Sequence, residues 1–194
     1  MTRYQRAPGQ LGIPLHRQEV SYSCGAAAVR SVLLYLGHDV PESELREQLD
    51  TRPENGTAPE DMLRFLNGFP NVTAKQVTSS LPKLIECVDR GEVVIVDLQA
   101  WSEKPNADYS VATDDGHYVV LSGYKGDLLY FADPAHDQPV HLPKGDLDKR
   151  WHDVNFDGST QERLAIVVTP PSDTKRKEAA RRVAARFMRS GRGR

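Results

Sequence analysis

The sequence lacks the features of a membrane protein and of a disulfide-rich secreted protein. No apolar run approaches the roughly 18 residues needed to cross a bilayer, so no integral membrane segment is expected. The first residues, MTRYQRAPGQLGIP, contain no apolar stretch of the kind found in secretory signals, which favours a cytoplasmic location. Cysteine is scarce, because Cys24 and Cys87 are the only two and they form neither a CxxC metal motif nor a disulfide framework.

Charge is nearly balanced over the whole chain, with a net charge of −2, but it is unevenly distributed. After Ser172, nine Lys or Arg residues outweigh Asp173 and Glu178, which gives that segment a net charge of +7 and leaves −9 on residues 1–171. The paired prolines at 170 and 171 favour an extended linker between the two parts. We therefore expect one domain over residues 1–171 and a basic tail over 172–194, either mobile or an amphipathic helix.

The partners of the basic tail are open at this point. Its charge suits an anionic surface, which includes the acidic domain of the same chain, a partner protein or a membrane. Nucleic acid is disfavoured by the acidic domain but not excluded by it.

The order of the secondary-structure signals predicts an α+β fold. Helical periodicity and end signals indicate four helices first, at 24–36, 41–49, 57–68 and 80–91, with Ser23, Thr57 and Ser80 as N-caps. Strands follow at 92–98, 117–124, 127–133, 138–142 and 163–169, with a short helix at 142–151. A Lys125-Gly126 turn joins two of these strands as a hairpin.

Cys24 opens the first predicted helix in the segment RQEVSYSCGAAAVRSVLLYLG. A thiol there is either a small core residue or a nucleophile, because a helix N-terminus favours the thiolate. Gly25 leaves room for a substrate carbonyl. Gln18 could direct its side-chain amide to the same place and form an oxyanion hole with the Cys24 N–H. Cys87 lies inside LIECV without such neighbours and is expected in the core.

His117 and Asp133 are the predicted partners of Cys24. His117 begins the strand HYVVLSGY and is expected at a sheet edge, whereas Asp133 ends the next strand. The hairpin register brings these strand ends together, so the carboxylate can fix the imidazole tautomer. Two alternatives remain, because Asp133-Pro134 is also a standard turn and Asp137 is a second candidate for the acid.

Four segments in order resemble papain-like cysteine peptidases that cleave double-glycine leader peptides from bacteriocin precursors. They are Q-x5-C-G-A-A at 18–26, ELREQL…NGT at 44–57, GHYVVLSGY at 116–124 and DPA at 133–135. The resemblance implies a bacterial papain-like fold with Cys24 as nucleophile, His117 as base, Asp133 as orienting acid and Gln18 as oxyanion donor. Ser23 departs from the acidic residue common at that position in the family, and these residues give no support to the expectation of coupling to an exporter.

The expected function is therefore that of a cysteine peptidase whose Cys-His-Asp triad hydrolyses a peptide bond through a thioester. This chemistry needs no metal or organic cofactor. An acyl or amide transferase would use the same residues, and a non-catalytic peptide-binding module is the third possibility. The polar segment 99–116, which contains Trp101 and Tyr109, either lines the substrate groove or is a solvated loop.

Overall fold

The computed structural model describes residues 10–104, 106–154 and 158–171. The five helices of these residues are α1 (Cys24–Leu36), α2 (Glu42–Gln48), α3 (Pro59–Asn67), α4 (Leu81–Asp89) and α5 (Lys144–Arg150). The eight strands are β1 (Thr73–Thr78), β2 (Val93–Gln99), β3 (Gly116–Lys125), β4 (Leu128–Ala132), β5 (Val140–Pro143), β6 (His152–Val154), β7 (Thr160–Glu162) and β8 (Leu164–Thr169). The predicted basic tail, 172–194, lies outside the described residues.

Six of the strands form one antiparallel sheet in the order β1-β8-β2-β3-β4-β5, and β6 pairs with β7 separately. Strand β2 is buried on both faces because helices cover both. Alternate residues such as Val93 and Ile95 pack towards α1, α2 and α3, whereas Val94 and Val96 pack towards α4 and α5. The α+β class and the papain-like arrangement expected from the sequence are confirmed.

The predicted helix bounds agree with the structure better than the predicted caps do. Gly37 ends α1 in the left-handed conformation, with φ of 89°, as its position indicates. Ser23, Thr57 and Ser80 make no side-chain capping hydrogen bond at any helix start. The Thr57 hydroxyl instead pairs with that of Thr51 at 2.8 Å, so the predicted Thr57 N-cap is wrong.

The sheet contains strands that the sequence did not indicate. Strand β1 has the sequence TAKQVT and lies at the sheet edge, where only Ala74 is buried, so it carries little apolar signal. The expectation that His117 lies at a sheet edge is also wrong, because it begins the inner strand β3 and is buried. Among the described residues, no helix is long and apolar enough to span a membrane.

Candidate active site

Cys24 is the first residue of α1, and its side chain is partly exposed. The helix starts there because Ala27 donates its backbone N–H to the Ser23 carbonyl at 2.9 Å. Gly25 is required at the second position, since a Cβ atom on it would lie 2.6 Å from the Thr57 Cβ. The missing side chain lets the helix start pack directly against the segment before α3.

His117 and Asp133 form a buried pair. His117 Nε2 lies 2.7 Å from Asp133 Oδ1, and the Asp133 side chain is fully buried. Strands β3 and β4 bring the two residues together, because Val120 pairs with Ala132, one residue before Asp133. With Nε2 engaged by the carboxylate, Nδ1 is the ring nitrogen that remains for the interaction with Cys24 that raises the pKa of His117.

The ionisation of the three groups is mutually dependent. Burial raises the pKa of the Cys24 thiol, but the hydrogen bond and positive charge of His117 outweigh it, so this pKa is lowered. Burial lowers the pKa of His117, whereas hydrogen bonds with Asp133 and Cys24 raise it to about 10. Burial raises the pKa of Asp133, but the hydrogen bond and charge of His117 lower it overall. The arrangement favours a thiolate, an imidazolium and a carboxylate at neutral pH.

Asp133 is held by groups besides His117. The Trp101 indole donates its Nε1–H to Oδ2 at 2.5 Å, and the Ala135 N–H donates to Oδ1 at 2.8 Å. His136 Nδ1 lies 3.3 Å from Oδ2, and its ring meets the Trp101 ring at a centroid distance of 4.8 Å. Trp101 therefore covers Asp133. It belongs to the segment 99–116, which the sequence analysis interpreted as either part of the substrate groove or a solvated loop.

Asp137 does not take the place of Asp133. It is exposed and forms an ion pair with Arg17 at 3.0 Å. The Asp133 carboxylate is thus buried against an imidazole, whereas the Asp137 carboxylate is at the surface.

Gln18 is anchored beside the acid rather than free in a loop. Its backbone N–H donates to the Pro134 carbonyl at 2.8 Å, and its side-chain Nε2 donates to the Val20 carbonyl at 2.9 Å. One amide hydrogen is engaged by that contact, so the other remains for a further acceptor.

Glu42 is the residue of this region that sequence reasoning missed. It is fully buried at the start of α2, and its carboxylate accepts hydrogen bonds from the Ser23 hydroxyl at 2.6 Å and the Glu19 N–H at 3.0 Å. His16 Nε2 lies 2.8 Å from its other oxygen. A buried carboxylate from α2 therefore contacts the side chain at position 23, immediately before Cys24.

One group among the described residues has the donor set of a metal site. His16, Glu19 and Glu42 place one potential ligand atom each within 4.8 Å of one another. Both oxygens of Glu42 already accept hydrogen bonds from the protein. These contacts with Glu42 therefore hold the chain between residues 16 and 23 in position.

Cys87 provides the opposite case to Cys24. It is buried in α4, as expected, and burial followed by its contact with Glu92 raises the pKa of its thiol to about 11. The pKa of Cys24 is therefore lowered and that of Cys87 is raised, so of these two cysteines Cys24 is the one that favours the thiolate.

A thiol at a helix start that meets a His-Asp pair from an antiparallel sheet is the arrangement of the papain-like cysteine peptidases. The chain belongs to the Peptidase_C39 like family, whose model matches residues 10–158. Family membership makes it a cysteine-type peptidase, as the sequence predicted.

Solved structures show the same fold at low sequence identity. A putative C39-like peptidase from Bacillus anthracis is 18% identical with a TM-score of 0.65, covering 87% of this chain and 100% of its own. The peptidase domain of Streptococcus ComA, a bi-functional ABC transporter involved in a quorum-sensing pathway, is 19% identical with a TM-score of 0.61, covering 81% and 98%. A double-glycine motif protease from an AMS/PCAT transporter, solved with the leader peptide, is 21% identical with a TM-score of 0.60, covering 84% and 94%. No curated protein matches the chain.

Proposed function

We propose that this peptidase hydrolyses a peptide bond with Cys24 as nucleophile, His117 as acid and base, and Asp133 as the group that orients His117. The observation that carries the proposal is the 2.7 Å contact between His117 Nε2 and Asp133 Oδ1, together with the lowered pKa of Cys24 that His117 causes. A thiolate beside an imidazolium needs no separate activation before attack.

The reaction proceeds in two halves. The Cys24 sulfur attacks the substrate carbonyl carbon, and the oxyanion is held by the Cys24 N–H and the free amide hydrogen of Gln18. His117 gives its proton to the leaving amine, and the C–N bond breaks to leave a thioester. His117 then removes a proton from water, which attacks the thioester and releases the acid and the thiolate.

Double-glycine leader peptides are the proposed substrate class. The AMS/PCAT protease of the same fold was solved with its leader peptide. In this chain, a Cβ atom on Gly25 would lie 2.6 Å from the Thr57 Cβ, so there is little space beside the nucleophile at the start of α1. Residues without side chains suit a reacting position of that kind.

The two cysteines make a direct test possible. The protein would be treated with a haloacetamide at pH 7 and with a double-glycine peptide aldehyde, and the adduct positions read by mass spectrometry. We expect both reagents on Cys24 and not on Cys87. Cys24→Ala should retain the fold and lose peptide hydrolysis, whereas Cys87→Ala should retain both.

Two results would count against this assignment. Preferential labelling of Cys87 would show that Cys24 is not the nucleophile, and equal slow labelling of both would favour a peptide-binding module. An acyl transferase is distinguished by product analysis, since an added amine would then appear in the product in place of water.

A further inference from the structure

A small pocket adjoins Cys24 on the side of the segment that precedes α3. Its volume is about 110 Å³, and its wall includes Cys24, Thr57 and Tyr118 together with two carboxylates, Asp97 and Asp153. Asp97 is in β2 and Asp153 in β6, so the carboxylates come from separate sheets. None of the described residues that line the pocket is Lys, Arg or His. The pocket therefore combines two acids with no basic side chain of its own.

Asp153 is fixed in position by its neighbours. Its Oδ1 accepts hydrogen bonds from the Gln99 side-chain amide and from the Val154 N–H, both at 2.8 Å. Gly116 makes room for this carboxylate, because a Cβ atom on Gly116 would lie 2.7 Å from Oδ1. Glycine at the start of β3 thus lets a carboxylate approach the strand that carries the catalytic histidine.

The buried and partly unpaired side chain of Asp97 is the second observation that indicates a ligand. Only 4% of the residue is exposed. Its Oδ2 accepts a hydrogen bond from Gln161 at 3.2 Å, whereas its buried Oδ1 has no hydrogen-bond partner among the described residues. Burial and the negative charge of Asp153 raise the pKa of Asp97 well above its ordinary value. A cationic donor that reached Oδ1 would stabilise the ionised form of this acid, which burial otherwise disfavours.

We propose that this pocket is a substrate subsite that binds the cationic end of a basic side chain near the scissile bond. The inference rests on the proposed function and adds a charge preference to it. The volume corresponds to about three to four water molecules. That space suits the far end of a lysine side chain, whose ammonium group donates to several acceptors at once.

The test compares peptides that differ at one position only. At each residue flanking the scissile bond, a set would carry lysine, norleucine or glutamate, where norleucine keeps the length of lysine without its charge. We expect one position at which kcat/KM for lysine exceeds that for norleucine by roughly 10- to 100-fold, the range of a charge-assisted hydrogen bond. Glutamate at that position should be the poorest of the three.

Variants then connect the preference to the pocket. Asp153→Asn keeps an oxygen for Gln99 and Val154, and Asp97→Asn keeps the size of the side chain. Either should lower the lysine-to-norleucine ratio towards one. Asp39→Asn is the matched control, because Asp39 is exposed and pairs with Arg30 beyond the far end of α1. If Asp97→Asn fails to fold, the part-exposed Asp153 alone decides the outcome.

The results separate this inference from the proposed function. If peptides are hydrolysed with equal kcat/KM for lysine and norleucine at every position, the subsite inference is overturned and the peptidase stands. A lysine preference that survives in both variants also overturns it. If Cys24 is labelled by neither reagent and no peptide is hydrolysed, the proposed function fails and the subsite falls with it.

Discussion

Removing His117 should change the pH at which Cys24 becomes reactive. The thiolate is favoured by the hydrogen bond and charge of His117, and burial opposes it. In His117→Ala the opposing influence of burial stays and both contributions of His117 are lost, so only the backbone contacts of Tyr118 and Gly25 still favour the thiolate. We therefore expect the pKa of Cys24 to move upward, close to or above its ordinary value of 9.0.

The size of the effect follows from the thiolate fraction. At pH 7 a thiol with a pKa of 9.0 is about 1% ionised. If the wild-type thiol is fully ionised at that pH, the alkylation rate should fall by about 100-fold in His117→Ala. If the wild-type thiol is only partly ionised, the loss is smaller. Cys87, with a pKa of about 11, serves as a slow internal reference in the same sample.

Asp133→Asn should have a smaller effect than His117→Ala. An asparagine oxygen can still accept the Nε2–H of His117, but the negative charge that raises the pKa of His117 is gone. The imidazolium is then less favoured, so the Cys24 thiol should ionise at a higher pH than in the wild type but at a lower pH than in His117→Ala.

The assay is haloacetamide alkylation between pH 4 and pH 10, with the rate at each cysteine read by mass spectrometry. We expect the Cys24 profile to extend to lowest pH in the wild type, to shift upward most in His117→Ala and to hold an intermediate position near pH 7 in Asp133→Asn. Asp137→Asn is the matched control and should leave the profile unchanged, since Asp137 pairs with Arg17 at the surface. An unchanged profile in His117→Ala would refute the reasoning, and a shift in Asp137→Asn without one in Asp133→Asn would move the acid to Asp137.

Three further predictions concern the surroundings of the proposed triad and the basic tail. Glu42→Gln should lower the free energy of unfolding in urea by about 1–3 kcal/mol, because a buried acceptor of several hydrogen bonds is weakened; no change would show that its contacts are dispensable. Gly25→Ala should cost about 1–3 kcal/mol of stability and lower kcat, since its Cβ would crowd Thr57, whereas Gly12→Ala, with nothing within 4 Å of the added atom, is the control that should do neither. Deletion of 172–194 should leave hydrolysis of a short peptide nearly unchanged and weaken any salt-sensitive association with an anionic surface, and loss of hydrolysis would show that the tail belongs to the domain.

The parts of the site that the sequence could predict depend on local chain geometry. The start of α1 at Cys24 follows from helical spacing and its end at Gly37, and the approach of His117 to Asp133 follows from one hairpin register. Each of these needs only residues that are close along the chain. The parts of the triad could therefore be proposed from local patterns, whereas the family resemblance was needed to join Cys24 to the His117–Asp133 pair.

Contacts between distant segments could not be predicted in that way. Glu42 meets Ser23 across 19 residues, and Gln161 meets Asp97 across 64, and neither pair has a sequence spacing that indicates contact. The failure of the predicted Ser23 N-cap has the same origin, because the Ser23 hydroxyl binds Glu42 instead of its own helix. Tertiary partners thus replaced the local ones that the pattern indicated.

The same distant contacts explain how the two halves of the site are held in register. Cys24 is on the helical side and the His117–Asp133 pair on the sheet side, so catalysis requires the chain before α1 to be fixed to both. Glu42 fixes it to α2 through Ser23 and Glu19, and the Gln18 backbone N–H fixes it to Pro134, the residue after the acid. Because a nucleophile and its base must stay within hydrogen-bond reach, a chain tied at both ends positions the thiol better than the helix N-terminus alone could.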